Sequence, residues 1–195
     1  MNINVRDRKK GNASKVKLVI GNPQNKRTAI LLGVVGKLAL VLGECDLGTP
    51  KLKNVDWNEL TDTWYWVYQT SNKAKDNFDC VRSNVIMLPS SRMFISTLAY
   101  DKSKQREVTI NGESSNFTTN GYFDILSEES FWTGSCLLLA IERDSFFVLT
   151  FCSKQGGNRI DSIGFRNRSP YEATLEKAFE AFNETGLDAS QLVKW

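Results

Sequence analysis

Short runs of residues that are apolar, or that alternate between apolar and polar, follow one another from residue 64 to about residue 166, and each run ends at residues typical of turns. Because successive side chains of a strand point to opposite faces of a sheet, such runs indicate β-strands. Turns are predicted at Asn111-Gly112, Asn120-Gly121 and residues 155–158, since Asn and Gly tolerate the positive φ of tight turns. The predicted strands lie near residues 63–70, 80–88, 91–99, 105–111, 115–126, 135–142, 145–153 and 159–166.

The apolar period changes after residue 168 and predicts a single helix of about fifteen residues. Ser169 is expected to cap it, with Pro170 at its first position and Glu172 completing a capping box. Gly186 suits the position just beyond its end. The apolar stripe of this helix consists of Leu175, Ala178, Phe179 and Phe182.

These elements predict an all-β fold, namely an eight-stranded antiparallel up-and-down barrel with one C-terminal α-helix packed outside. Closure into a barrel removes the two edges that an open meander would leave unpaired. A barrel of this size is either filled by its own side chains or holds one small ligand.

The first 43 residues differ from the rest and are predicted to be a polar, basic extension followed by a signal-like segment. Residues 28–43 are apolar except for Thr28 and Lys37, and they follow the basic pair Lys26-Arg27. This pattern favours a cleaved secretory signal, with residues 44–195 as the barrel domain and an extracellular location. A membrane anchor is one alternative, but Lys37 interrupts the run of about 18 apolar residues that a span requires. A core helix or a misannotated start of the sequence is the other.

Composition excludes several kinds of chemistry. The chain has no histidine, so Ser-His and Cys-His catalysis and His-ligated metals are not expected. Residues 1–43 contain nine Lys or Arg and one acidic residue, so within the total charge of +3 the barrel domain carries −5. A nucleic-acid or anionic-membrane surface is therefore not expected on the barrel domain.

The cysteines and the glycosylation sequons agree with secretion. The four cysteines, Cys45, Cys80, Cys136 and Cys152, allow three disulfide pairings, between which spacing does not choose. Acceptor triplets begin at Asn116, Asn167 and Asn183 and predict a glycoprotein.

Several short motifs resemble the lipocalins, especially the insect bilin-binding and apolipoprotein-D-like branch. The resemblance covers residues 44–195 and depends on the order of its pieces. These are Cys45 with KNVDW (53–57), DTWYWV (62–67), AIERDSFFVLTFC (140–152), IGFRNRSP (163–170) and TGLDASQLVKW (185–195). Two pieces depart from the family pattern: Asp62 stands at a glycine position, and residues 141–143 replace Thr-Asp-Tyr.

The resemblance implies roles for six residues. Trp64 and Arg166 should stack at the closed end of the barrel, and Cys45 should bond Cys152. Cys80 matches a family cysteine that bonds a partner in the C-terminal tail. The sequence has no cysteine after Cys152, so a Cys80–Cys136 bond is expected instead, with a free thiol at Cys136 as the alternative.

If Trp64 points into the barrel floor, alternation directs Trp66 and Tyr68 inward above it. The ligand-binding candidates are then Trp66, Tyr68, Phe94, Phe123, Phe147 and Leu149. Such walls suit a flat or chain-like apolar ligand.

The predicted function is a secreted, non-enzymatic carrier that sequesters a small hydrophobic ligand: a tetrapyrrole, retinoid, fatty acid, sterol or similar lipid. No metal or other cofactor is expected beyond such a ligand. One alternative is a filled barrel that binds a protein partner through its open-end loops, chiefly residues 69–79. A thiol-dependent isomerase using Cys80 or Cys136 is the other, although no histidine is present to activate the thiol.

Overall fold

The computed structural model describes residues 45–71, 76–89, 91–155 and 157–195, so the predicted extension and signal segment lie outside it. Its strands are β1 (Asp62–Thr70), β2 (Phe78–Leu88), β3 (Arg92–Asp101), β4 (Arg106–Ser115), β5 (Tyr122–Ser127), β6 (Gly134–Glu142), β7 (Phe146–Ser153), β8 (Arg159–Phe165) and β9 (Leu192–Lys194). The helix α1 spans Glu172–Glu184, and short 3-10 turns span Trp57–Leu60, Ser130–Trp132 and Ala189–Gln191.

Strands β1 to β8 form a closed antiparallel barrel in which each strand pairs with its neighbour in sequence, and β8 pairs with β1. The predicted up-and-down barrel with an outer helix is therefore confirmed. The strand β9 was not predicted. It pairs with residues 68–70 of β1, beyond residues 62–65, where β1 pairs with β2.

The two ends of the barrel differ. The Trp57–Leu60 turn packs at the end where β1 begins, here called the closed end. The opposite end carries the β1–β2 connection and the Ser130–Trp132 turn, and it is called the open end. Among the described residues, no helix combines the length and the apolar character that crossing a membrane demands.

The turn predicted at Asn111-Gly112 is wrong, because both residues lie inside β4. A Cβ on Gly112 would lie 3.2 Å from the Leu126 carbonyl oxygen, so glycine here permits a close approach of β5. The actual β3–β4 turn follows Asp101, whose carboxylate accepts hydrogen bonds from the backbone N–H groups of Ser103 (2.9 Å) and Lys104 (3.0 Å). The predicted strand 115–126 is divided by a loop at residues 116–121, which contains the predicted Asn120-Gly121 turn.

The start of the helix also differs from the prediction. Helix α1 begins at Glu172 with Tyr171 at the N-cap and without a side-chain cap, so the capping box is wrong. The backbone N–H of Ser169 instead donates to Asn167 Oδ1 at 2.9 Å. Gly186 follows the helix with φ of 86°, a left-handed conformation that favours glycine.

The apolar stripe of α1 packs on the outer face of β1, β6, β7 and β8. Ala178 and Phe182 are fully buried in this outer core, and Leu175 and Phe179 are partly buried against it. The helix therefore covers the outside of the wall and leaves the barrel interior to a separate inner core.

Candidate functional site

The barrel interior contains a cavity of about 100 Å³ with side chains from all eight barrel strands on its wall. Four of the six ligand-binding candidates lie on this wall: Trp66, Phe123, Phe147 and Leu149. Their contact with a ligand stays a prediction. Further wall residues that were not predicted include Met93, Ile95, Trp132 and Phe151.

Tyr68 does not line the cavity, contrary to the prediction. A β-bulge between Trp66 and Tyr68 shifts the pairing of β1 with β8, so Val67 and Tyr68 both face outward. The Tyr68 ring packs under the helix, with its centroid 5.0 Å from that of Phe179. Gln69 takes the inward position that strict alternation would have given to Tyr68.

Phe94 is the second wrong wall candidate. Its neighbours Met93 and Ile95 line the cavity, so alternation along β3 places Phe94 on the outer face. Its partner across the β2–β3 pair is Ile86, which is 48% exposed. The inward register of β3 is thus one residue away from the predicted one.

Trp64 and Arg166 close the barrel floor. The guanidinium carbon of Arg166 lies 3.5 Å from the centroid of the Trp64 ring, and the ring is buried. Arg166 also donates to the backbone carbonyls of Thr61 (2.6 Å), Glu59 (3.0 Å) and Arg143 (2.8 Å). Burial lowers the pKa of Arg166 below its ordinary value. The stack and the carbonyl contacts together tie β1, β8 and the β6–β7 turn at the closed end.

Gly164 lies between two aromatic residues of the wall. It pairs with Trp66 of β1 on one side and with Phe147 of β7 on the other. Since Gly164 has no side chain, the two rings meet above it with their centroids 5.4 Å apart. A Cβ at this position would lie 2.4 Å from the Phe147 ring. The glycine therefore sets how far the Phe147 ring extends into the cavity.

Replacing Gly164 with alanine is expected to lower the free energy of unfolding by about 1–3 kcal/mol, because the Phe147 ring must move to admit the methyl group. Urea unfolding followed by Trp fluorescence measures this loss. Phe147→Leu in the same chain removes the clashing ring, so the double variant should lose less than the sum of the single losses. Additive losses would contradict a clash with Phe147.

The cysteines divide into one disulfide and two free thiols. Cys45 bonds Cys152, the pairing that the resemblance implied. The predicted Cys80–Cys136 bond is wrong, because Cys80 is exposed outside the barrel and Cys136 is buried on the cavity wall. Burial raises the pKa of the Cys136 thiol well above its ordinary value, so this residue is a poor nucleophile.

Most polar groups of the cavity wall bond one another. The Trp66 indole donates to Ser83 Oγ at 2.8 Å, and Ser83 Oγ lies 2.8 Å from Thr97 Oγ1. The Ser127 hydroxyl donates to the Asn111 carbonyl at 3.1 Å. No charged side chain is among the described residues that line the cavity.

Gln69 differs from these groups because its amide nitrogen is fully buried. It is only 2% exposed, and its Nε2 has no hydrogen-bond partner within the described part of the chain. Leaving such a donor unpaired costs about 1–3 kcal/mol, so a native structure that keeps one requires an explanation. Sequence reasoning missed Gln69 because the bulge that turns it inward lies in the pairing of β1 with β8, which is distant in sequence. Trp132 was missed for a different reason: it reaches the wall from a connection outside the predicted strands.

The described residues around the cavity do not form a metal site. Within the ranges that the structure describes, no group of three or more His, Cys, Asp or Glu side chains is arranged to hold a metal ion. The chemistry available at the wall is therefore apolar contact together with the hydrogen-bonding groups described above.

Comparison with solved structures identifies the fold as that of the lipocalins. The cockroach allergen Per a 4 matches with a TM-score of 0.66 and 18% identity over 77% of this chain and 93% of that chain. The amine-binding protein of Rhodnius prolixus, solved with tryptamine, matches with a TM-score of 0.62 and 12% identity over 77% and 85%. Lobster apocrustacyanin A1 matches with a TM-score of 0.59 and 19% identity over 71% and 78%.

No protein-family sequence model matches the chain, and no curated protein matches it in sequence. At the identities of the solved structures the likeness shows the fold alone, so the insect bilin-binding and apolipoprotein-D-like branch stays a prediction. The ligand must be argued from the cavity itself.

Proposed function

We propose that this protein is a secreted, non-enzymatic carrier that sequesters a compact, neutral, largely apolar molecule in the barrel cavity. The observation that carries the proposal is the cavity itself, which is lined mainly by aromatic and aliphatic side chains and has no charged group among its described lining residues. Binding would remove the apolar surface of the ligand from water, which yields about 25 cal/mol per Å².

The cavity size narrows the ligand class. An apolar protein cavity of about 150 Å³ holds a single benzene molecule, and this cavity measures about 100 Å³. The ligand that fits is a single ring or a short branched chain. Of the predicted ligand classes, tetrapyrroles, retinoids, sterols and long fatty acids all exceed this volume, so they would have to displace wall side chains or extend out of the open end.

The absence of charged side chains from the described part of the cavity wall narrows the ligand class further. An ionised carboxylate or amine buried without a partner loses its hydration, and no side chain among the described wall residues offers an opposite charge. The solved amine-binding protein from Rhodnius prolixus contains tryptamine, whereas the cavity described here favours an uncharged molecule. The Cys45–Cys152 disulfide supports secretion, because disulfides persist in oxidising compartments.

Titration with toluene tests the proposal. In ¹³C methyl spectra of the full chain, saturable toluene binding should shift the signals of Met93 and Ile95, which line the cavity. The signal of Ile86, which is exposed on the outer face, should stay in place. Biliverdin, retinol, palmitate and tryptamine serve as larger or charged competitors and are expected to displace toluene poorly.

A matched pair of variants separates binding in the cavity from binding at the surface. Ile95→Phe adds a ring inside the cavity, and Ile86→Phe makes the same change on the outer face of the neighbouring strand. Toluene binding should be lost in Ile95→Phe and kept in Ile86→Phe. Unchanged binding in Ile95→Phe would refute the cavity as the site.

The alternative function is a barrel that binds a protein through its open-end loops. The small volume of the cavity favours it over a carrier of large pigments or lipids, because pockets for drug-sized ligands measure about 300–1,000 Å³. If none of the probes shifts the wall methyl signals, the cavity is not a ligand site and this alternative replaces the carrier.

A further inference from the structure

We propose that Gln69 is the polar anchor of the cavity and that the ligand carries a neutral hydrogen-bond acceptor, such as a ketone, ester or ether oxygen. This inference rests on the proposed carrier function. The Gln69 side chain lies on the cavity wall, is almost fully buried, and has an Nε2 without a partner in the described part of the chain. A ligand oxygen would supply the missing partner.

The neighbours of Gln69 leave this role open to the ligand. On the β8 side its cross-strand partner is Ser162, and on the other edge of β1 its partner is Val193 of β9. The indole and hydroxyl groups deeper in the wall already bond one another, as the Trp66–Ser83–Thr97 chain shows. A ligand acceptor would therefore meet the available donor of Gln69, with the Ser162 hydroxyl beside it, and mainly apolar contacts elsewhere.

The bulge in β1 strengthens the inference. Strict alternation from Trp64 and Trp66 would bring Tyr68 inward, and the bulge exchanges it for Gln69. A bulge can redirect a side chain next to a functional site. Here it replaces an aromatic ring with a primary amide near the open end, where β1 terminates at Thr70.

Two probes of similar shape test the acceptor. Acetophenone and cumene have the same number of non-hydrogen atoms, and each carries a branched three-atom substituent on a phenyl ring. Only acetophenone has a carbonyl oxygen in that substituent. Both are titrated into the full chain labelled with ¹⁵N and ¹³C, in which the side-chain amide signal of Gln69 is assigned through its own backbone by triple-resonance spectra. Acetophenone should move this signal downfield in the unsubstituted protein, and cumene should leave it nearly unchanged.

Affinities in the variant give the second measurement. Methionine keeps the length of glutamine and lacks the donor, so Gln69→Met should weaken acetophenone binding about tenfold and cumene binding less than twofold. Gln191→Met makes the same change at an exposed residue in the turn before β9 and should alter neither affinity. Benzoate, which has an acceptor but a full negative charge, should bind more weakly than acetophenone.

The outcomes separate the two proposals. If neither probe shifts the wall methyl signals of the unsubstituted protein, the carrier function fails and the anchor fails with it. If both probes bind but the Gln69 amide signal responds equally to each, or Gln69→Met binds acetophenone as tightly as before, only the anchor is overturned. The amide measurement needs no variant, so poor folding of Gln69→Met would leave a decisive result.

Discussion

Replacing Trp64 with alanine is expected to lower the free energy of unfolding by about 3–5 kcal/mol, the range for removing a buried aromatic side chain. The ring is 1% exposed and packs edge-on against Phe147, with centroids 4.9 Å apart. Its indole donates to the Leu60 carbonyl at 2.8 Å, and its face carries the Arg166 guanidinium. Truncation leaves a cavity at the floor and removes the surface on which a partly buried charge rests.

The loss is measured by urea unfolding followed by far-UV circular dichroism, because the substitution removes one of the fluorescent indoles. Trp132→Ala is the matched control: its ring is only partly buried and lies in a short turn at the open end. This control should lose clearly less stability than Trp64→Ala. A loss below about 1 kcal/mol in Trp64→Ala would mean that the floor repacks and that the stack with Arg166 does not hold the closed end.

The order of the strands follows from the sequence because short apolar or alternating runs and the turn residues between them are local signals. Strands β6 and β7 follow one another across a three-residue turn, and both were predicted within a residue of their observed bounds. The face that a residue occupies is harder to predict. A bulge shifts every later residue of the strand to the other face, and this one lies in the pairing with β8, which is distant in sequence. The prediction therefore placed Tyr68 on the inner face, which Gln69 occupies in the structure.

Asp62 illustrates a departure that the structure explains. It stands where the lipocalin pattern has glycine, and its φ is 75°, in the left-handed region. Asp tolerates this conformation better than most residues because its short polar side chain can bond locally. The glycine preference of the motif is thus a backbone requirement at the start of β1. The sequence showed the substitution, but the conformation that makes it acceptable is visible only in the fold.

The cysteines show the limit of the resemblance in another way. Cys45 and Cys152 meet because the segment that begins at Cys45 lies against the end of β7. Beside the disulfide, Arg159 donates a hydrogen bond to the Asp46 carbonyl at 2.7 Å. Cys80 and Cys136 are separated by the barrel wall. Pairing them would have required both to face the same side of the sheet, and the spacing of cysteines along the chain does not contain that information.

Breaking the Cys45–Cys152 bond is expected to lower the free energy of unfolding by about 4–5 kcal/mol, because the bond closes a long loop in the unfolded chain. The two cysteines are 107 residues apart in sequence. Without the bond the unfolded chain gains the entropy of that open loop, while the folded barrel keeps its strand pairing. The test compares urea unfolding of the unsubstituted protein with Cys45→Ala/Cys152→Ala, each with and without dithiothreitol.

Reductant should bring the unsubstituted protein to the stability of the double variant and leave the double variant unchanged. Cys80→Ala, at an exposed free thiol, is the control and should shift stability by less than about 0.5 kcal/mol. Thiol counting gives an independent check: the oxidised protein should show two thiols after denaturation, and only Cys80 should react quickly in the native state because Cys136 is buried. Two results would contradict the Cys45–Cys152 bond: four reactive thiols in the denatured, oxidised protein, or a stability that dithiothreitol does not change. Either result would also contradict the anchoring of the segment that begins at Cys45.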